Sequence, residues 1–324
     1  MSNLDDLFNF TIADALAETE SKKTSFTNKF ETYRPSIKDE KCVDETYRAL
    51  VRFIPFVYEN KISTRIERWE CYLKDVNGEN GVFVVSPKTI KKKCPMRTMS
   101  WKLHESDSAI DKANSKKINV YQQWYSLIEV VKDVQHPEYE GKFMIYQFGS
   151  KINDKINEAL KGSDYTDPIN PFALEDAPLF EIKLTKGNQK MDNGGVVANY
   201  DGCKFIQKTS PLHFGDGLTY DGSMEMKKAF VDWIEKDAPQ INNYQWKEWS
   251  DELTEKVNTN LATYTSSYSA PRTTVGKATE AILNIANTTT NTVDIPSTKI
   301  SDNDDQDVDM SIDDDAWVES ILNG

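Results

Sequence analysis

The chain has 324 residues, 38% of them apolar and 28% charged, enough for one large domain or two ordinary ones with a sizeable core. Its formal net charge of -13 argues at face value against a polyanionic partner, yet nine of the acids fall in residues 301–324, where no Lys or Arg stands, and residues 1–300 carry 43 acids against 39 bases. Four scattered cysteines without a CxxC pair, a first stretch of twenty residues with acids and no base, and no apolar run near the ~20 residues that cross a bilayer exclude a disulfide scaffold, a signal peptide and a membrane span, so the expectation is a soluble protein with reduced thiols in a cytoplasm.

Leu4, Leu7, Phe8, Ile12, Ala15 and Leu16 have the spacing of a short amphipathic helix, followed by SKKTS at Ser21–Ser25 and a polar stretch. Residues 1–45 read as an arm outside the core. From Tyr47 the texture changes to short runs rich in Val, Ile and aromatic residues: YRALVRFIPF, RWECYL, GVFVV, NVYQQWYSLIEVV, KFMIYQFG, LFEIKL and CKFIQ. Turn signals such as VNGENG, HPEYEG and DNGG divide them, which predicts several strands in a barrel or sandwich. Three helices interrupt the pattern. SKINDKINEALKG places Ile152, Ile156, Ala159 and Leu160 on one face with Gly162 as a stop; SMEMKKAFVDWIEK does the same with Met226, Phe230, Trp233 and Ile234 behind a Ser223 cap; a third run aligns Leu253, Val257 and Leu261.

The basic residues concentrate between Ser86 and Leu127, where nine Lys and Arg stand against three acids. Lys88, Lys91, Lys92, Lys93, Arg97 and Lys102 come first, then Lys112, Lys116 and Lys117, and the segment ends in the rings of Tyr121, Trp124 and Tyr125. Cations that track phosphates and rings that stack on unpaired bases are what a single-stranded nucleic-acid groove requires. A lysine-rich surface loop beside core aromatics accounts for the same composition. Alternate residues of a strand face opposite sides, so Trp124 and Tyr125 cannot share one core, and one of them must meet solvent, a second layer or a ligand.

Beyond about residue 264 the chain turns rich in Thr, Ser, Asn and Ala, the composition of a linker that buries too little to offset its ordering entropy. Its acidic end threads Trp317, Val318, Ile321 and Leu322 among the carboxylates, which a solubility tail alone would not need. Metal and catalytic patterns are weak. CPMR offers one thiol where a zinc knuckle has two, His104, His136 and His213 stand apart, and no Walker, HExxH or Ser/His/Asp pattern occurs.

The run VVKDVQHPEYEGKFMIYQFGSKINDKINEALKG resembles the gene 32 type single-stranded-DNA-binding proteins of T-even-like bacteriophages, which show an aromatic strand ending in VVKD, a Pro/Glu/Gly turn, an FG strand and a K-I-x-D-K-I-N helix in that order. VRFIP, CPMR and NYDGCKF extend the likeness over roughly residues 47–210. The resemblance implies a mainly β fold with helices, an OB-fold barrel core plus a helical subdomain, a flexible N-terminal arm and a disordered acidic C-terminal tail. It divides the chain into an arm at 1–45, a core at 46–262 with a basic subdomain at about 86–120, a linker at 263–300 and a tail at 301–324. It implies Trp124, Tyr125, Tyr146 and Tyr200 as stacking rings, and phosphate contacts at Lys116, Lys117 and Lys151, to which the basic run adds Lys91, Lys92, Lys93 and Arg97. Lys22, Lys23, Thr24 and Ser25 are similar to the motif through which family members associate along the strand, and the carboxylates of the tail would imitate a phosphate backbone while Trp317 and its apolar neighbours meet phage replication and recombination proteins.

One departure concerns the family's zinc, which uses one His and three Cys. Cys94 is kept, Arg97 stands where the last Cys belongs, the earlier Cys falls near Ser86 and Pro87, and the His falls near Cys71. The expectation is therefore no zinc and no other cofactor, with Cys71 and Cys94 the remnants. The function expected is cooperative, sequence-nonspecific coating of single-stranded DNA during phage replication, recombination and repair in the host cytoplasm, with no chemical step and no membrane. The alternatives are an RNA-binding OB-fold regulator and a metal-dependent nucleic-acid enzyme.

Overall fold

The computed structural model describes residues 32–265 apart from 59–60, 163–165 and 191–195. In chain order the elements are β1 (Thr32–Tyr33), β2 (Tyr47–Ile54), β3 (Phe56–Tyr58), β4 (Lys61–Ser63), β5 (Ile66–Leu73), β6 (Val82–Val85), α1 (Pro95–Glu105) and α2 (Ala109–Ser115). There follow β7 (Tyr121–Asp133), β8 (Phe143–Phe148), α3 (Ser150–Lys161), β9 (Leu179–Lys190), β10 (Val196–Asn199) and β11 (Lys204–Ile206). The series ends with β12 (His213–Phe214), β13 (Leu218–Thr219), α4 (Met224–Lys236) and α5 (Asp251–Ala262).

Each of the seven strand-like runs forms a strand, and the three expected helices are α3, α4 and α5. The main sheet runs β1-β8-β7-β2-β9-β10, with β11 on β9, β5 on β7 and β6 on β5. The fold is thus a mixed sheet carrying several helices. Its hydrogen-bonded order among the described strands is an open path, and closure of that path into a barrel remains part of what the resemblance implies.

Strand β7 is the axis of the sheet. One of its edges pairs with β8 from Trp124 to Glu129, while along the other edge β5 takes Tyr121–Tyr125 and β2 takes the residues from Leu127 onward. A register shift between Leu50 and Val51 leaves an extra β7 residue opposite β2, which bends the pair. Both faces of β7 are covered. Trp124, Ile128 and Val130 enter a core with Val51, Phe53, Phe148 and the apolar face of α3, whereas Tyr125 and Leu127 enter a second core with Ile54, Ile145 and the Phe230 face of α4. A strand buried on both sides need show no polar alternation, and YQQWYSLIEVV keeps no period of two, its Gln123, Ser126 and Glu129 being buried as well.

The ends of α3 and α4 follow local chemistry. Gly162 stops α3 at a φ of 67°, its N–H donating to the Glu158 carbonyl, and Ser223 caps α4 by accepting from the Met226 N–H at 3.2 Å.

The boundary expected at residue 45 falls inside the folded unit. Residues 32–45 belong to the folded unit, since β1 pairs in parallel with β8 and Tyr33 and Ile37 are buried in the first core. A two-residue strand has no periodicity to read, so nothing in its own sequence marks it. Its anchor is Asp133, whose Oδ2 accepts from the Tyr33 hydroxyl at 2.7 Å and from the Tyr47 hydroxyl at 2.6 Å.

A second tie is ionic. His136 holds Asp39 at 2.5 Å through Nε2 and Glu138 at 2.9 Å through Nδ1, with Lys41 donating to Glu138 at 2.9 Å. Partial burial opposes charge on the ring, but the hydrogen bonds to Asp39 and Glu138 outweigh it and raise the His136 pKa above its ordinary 6.5. A raised histidine contributes stability that is fully present below the unfolded pKa and lost as pH rises through the folded one. Between about pH 6 and about pH 8 the denaturant midpoint of the wild type should therefore fall more steeply than that of His136→Gln. Parallel profiles would show that the ring carries no proton-linked stability.

Candidate nucleic-acid interface

The basic segment is held as a small subdomain against the β5–β6 hairpin. Ser86 caps the 3-10 turn Pro87–Ile90 by accepting from the Lys88 N–H, and Lys91 follows in the left-handed region at φ 58°, after which Lys91, Lys92 and Lys93 are all exposed. Cys94 then caps α1, its Sγ accepting from the Arg97 N–H at 3.4 Å, with Pro95 preset at the first helical position.

These turns bring cations onto aromatic faces. The Lys88 ammonium lies 3.3 Å from the centre of the Trp69 ring and the Arg97 guanidinium 6.0 Å from it, while Lys92 lies 5.5 Å from the centre of Trp246. Trp69 is fixed in turn by Glu67, which accepts from its Nε1 at 2.9 Å, and by Thr89, which accepts from its backbone N–H at 2.9 Å. Such cation–ring contacts are worth about 0.5–1 kcal/mol at exposed sites and hold both partners in place. One helical turn beyond Arg97, on the same side of α1, Trp101 is 55% exposed. The arrangement offers positive charge and an uncovered ring side by side.

Of the residues expected to contact phosphate, Lys91, Lys92, Lys93 and Arg97 are gathered here. Lys116 and Lys117 lie at the far end of α2, Lys117 donating to the Val76 carbonyl at 3.1 Å, and Lys151 lies on the first turn of α3.

The four residues expected to stack on bases are covered in this structure. Trp124, Tyr125, Tyr146 and Tyr200 are each less than a tenth exposed. Without DNA each of these rings is packed, and stacking by any of them would need a face to be uncovered. The adjacency of Trp124 and Tyr125 is explained by the second layer, each ring having its own core. The rings around these cations were missed: Trp69 is half-buried under Lys88, Trp101 is exposed one turn beyond Arg97, and Trp246 beside Lys92 is 8% exposed, as closely packed as Tyr200. Trp101 was readable once CP is taken as the start of a helix, because it falls four residues after Arg97. Lys22, Lys23, Thr24, Ser25, Trp317, Val318, Ile321 and Leu322 lie outside the described residues, as do the linker beyond 265 and the acidic tail.

The donor set does not fit a zinc ion. Cys71 and Cys94 share the subdomain core, but the positions matching the other two ligands hold the Ser86 cap and the Arg97 guanidinium. Among the described residues no group of three His, Cys, Asp or Glu side chains stands where a metal would need it, and burial pushes the Cys71 thiol up, away from the thiolate that binds metals. No helix of the described residues is long and apolar enough to cross a membrane.

Residues 46–270 match the model of a family described as gp32 DNA binding protein like. A search of curated proteins finds no match.

Proposed function

The chain belongs to the gp32 DNA-binding-protein-like family, a family of DNA-binding proteins and not of enzymes, and on that premise we propose that it coats single-stranded DNA without sequence preference. The observation that carries the reading is the packing, inside the matched region, of Lys88 and Arg97 on Trp69 and of Lys92 on the buried Trp246, with the exposed Trp101 one helical turn beyond Arg97. Lys91, Lys92, Lys93 and Arg97 would neutralise phosphates and release their counterions, and Trp101 would stack on an unpaired base, with Trp69 following when Lys88 moves to a phosphate. No step in this reading makes or breaks a bond. Lys116, Lys117 and Lys151 would extend the track.

The test is a salt titration on an unstructured DNA oligomer. Trp101→Ala should weaken binding by roughly 1–3 kcal/mol at every salt concentration and leave the denaturation midpoint in place, since the ring is largely exposed. Neutralising Arg97 should instead lower the slope of log K against log salt by about 0.7 per lost phosphate contact. Phe83 is the control. It is 43% exposed and pairs across the hairpin with Tyr72, on the face opposite Trp69. If Phe83→Ala weakens binding and Trp101→Ala does not, the strand lies on that other face. Tighter binding of a matched RNA oligomer would favour an RNA regulator, and cleavage of the strand with magnesium would favour an enzyme.

The wider role rests on the resemblance. Coating during phage replication, recombination and repair, cooperative association through Lys22–Ser25, partner binding through Trp317, Val318, Ile321 and Leu322, and a place in the host cytoplasm belong to the same proposal.

A further inference from the structure

The four positions where the resemblance places zinc ligands are otherwise engaged. The Ser86 N–H donates to the Trp69 carbonyl at 2.7 Å while its Oγ caps the turn that follows, Cys94 caps α1, and Cys71 is buried. Arg97 carries its charge toward Trp69, where it would repel a cation. The subdomain nevertheless needs something to join β5, β6 and α1, which are too small to bury a core of their own.

That something arrives from the far end of the described chain. Val257, Leu261 and Tyr264 fill the core between Cys71, Leu73, Val84, Met96 and Leu103. The Asn260 Nδ2 donates to the Leu73 carbonyl at 3.1 Å and to the Asn80 carbonyl at 2.8 Å, so one amide spans the end of β5 and the approach to β6. The Tyr264 hydroxyl lies 3.0 Å from the Lys74 carbonyl and 3.2 Å from that of Asp75, and Thr263 Oγ1 accepts from the Val76 N–H at 2.9 Å. Before the helix begins, the Trp249 Nε1 donates to the Val85 carbonyl at 2.8 Å. Every stretch of the hairpin, the end of β5, the turn and the end of β6, has a bond to the α5 segment.

We infer that α5 and its flanks clamp this subdomain in place of a metal ion, and that Asn260 is the positioning residue that sets the hairpin beneath the Trp69 platform. The clamp goes beyond the DNA reading, and its readouts need no DNA. Asn260 is 6% exposed, so its loss removes a buried donor from two inward carbonyls.

The experiment uses the full chain, expressed with zinc in the medium. Metal analysis should find no stoichiometric zinc, and a chelator should leave hydrogen exchange across residues 71–105 unchanged. Asn260→Ala should speed exchange in the hairpin by about tenfold or more while β8 and α4 stay protected. Asn260→Asp keeps the shape and removes the donors, so it should behave like Ala; wild-type exchange in the Asp variant would mean that packing alone suffices and would overturn the assignment. Should Asn260→Ala fail to fold, Thr263→Val removes the partner of the Val76 N–H, together with the hydroxyl's bond to the Asn260 carbonyl, and should loosen that turn locally. One zinc per chain, loosening by chelator, or wild-type exchange in Asn260→Ala would each overturn the clamp.

Discussion

Replacing Tyr125 by Ala should lower the free energy of unfolding by about 3–5 kcal/mol, the loss expected for deleting a large ring from a core. The ring is buried against Tyr244 with centroids 4.7 Å apart, and the Arg68 guanidinium lies 5.0 Å from the Tyr125 centre and 5.7 Å from that of Tyr244. Its hydroxyl donates to Glu70 at 2.7 Å, and Glu70 in turn faces Arg68 at 3.1 Å. Burial, reinforced by the Glu70 charge, holds the phenol far above the ordinary tyrosine range, so the hydroxyl stays a donor at every working pH. Tyr125→Phe keeps the ring and takes one of its two partners from the carboxylate, at about 1–3 kcal/mol for a hydrogen bond to a charged group. Urea denaturation of the two variants measures both steps. Molecules of Tyr125→Ala that remain folded should bind DNA as the wild type does; an unchanged midpoint with weakened binding would return this ring to the DNA site.

An equally large loss is expected at the buried pair of Arg52 and Glu129. Nη1 of Arg52 and Oε2 of Glu129 are 3.4 Å apart with both side chains almost wholly covered, and Arg52 Nη2 also donates to the carbonyl and hydroxyl of Ser210. Burial pushes the Glu129 carboxyl up to about 7 and lowers the arginine, which means that desolvation outweighs the attraction between them. Glu129→Ala leaves a guanidinium buried without its counter-charge and should cost about 3–5 kcal/mol, whereas the double change Arg52→Met with Glu129→Leu should recover most of it. The pH dependence carries a second signature. A carboxyl raised on folding contributes stability that is full below its unfolded value of 4.5 and falls as pH rises toward about 7, and the double variant should lack that slope. A double variant no better than Glu129→Ala would show that the pair stabilises the fold outright.

Strands and helices were legible where one residue's neighbours in sequence decide its environment. Ile152, Ile156 and Leu160 announce the buried face of α3, and Ser223 and Gly162 announce helix ends through their own side chain or its absence. Partners distant in sequence were not legible. Asn260 and Tyr264 read as the polar end of a helix, and only the fold shows that they bond to residues 73–80. The same limit misdirected the search for rings. Trp124 and Tyr125 drew notice because a single core cannot hold both, but the pattern cannot tell a second core from a ligand. Trp69 sits in RWECYL with nothing to mark it until Lys88 and Arg97 are folded over its faces.

The parallel pairing of β1 with β8 bears on the order in which the chain is assembled during synthesis. Tyr33 emerges from the ribosome long before Tyr146, the residue opposite it, and Asp133, which receives its hydroxyl, also comes late. Every other strand of the main sheet joins at least one neighbour in antiparallel fashion. The opening strand must therefore wait beside a growing sheet, and until it docks, the outer edge of β8 presents unpaired backbone groups to any extended segment nearby.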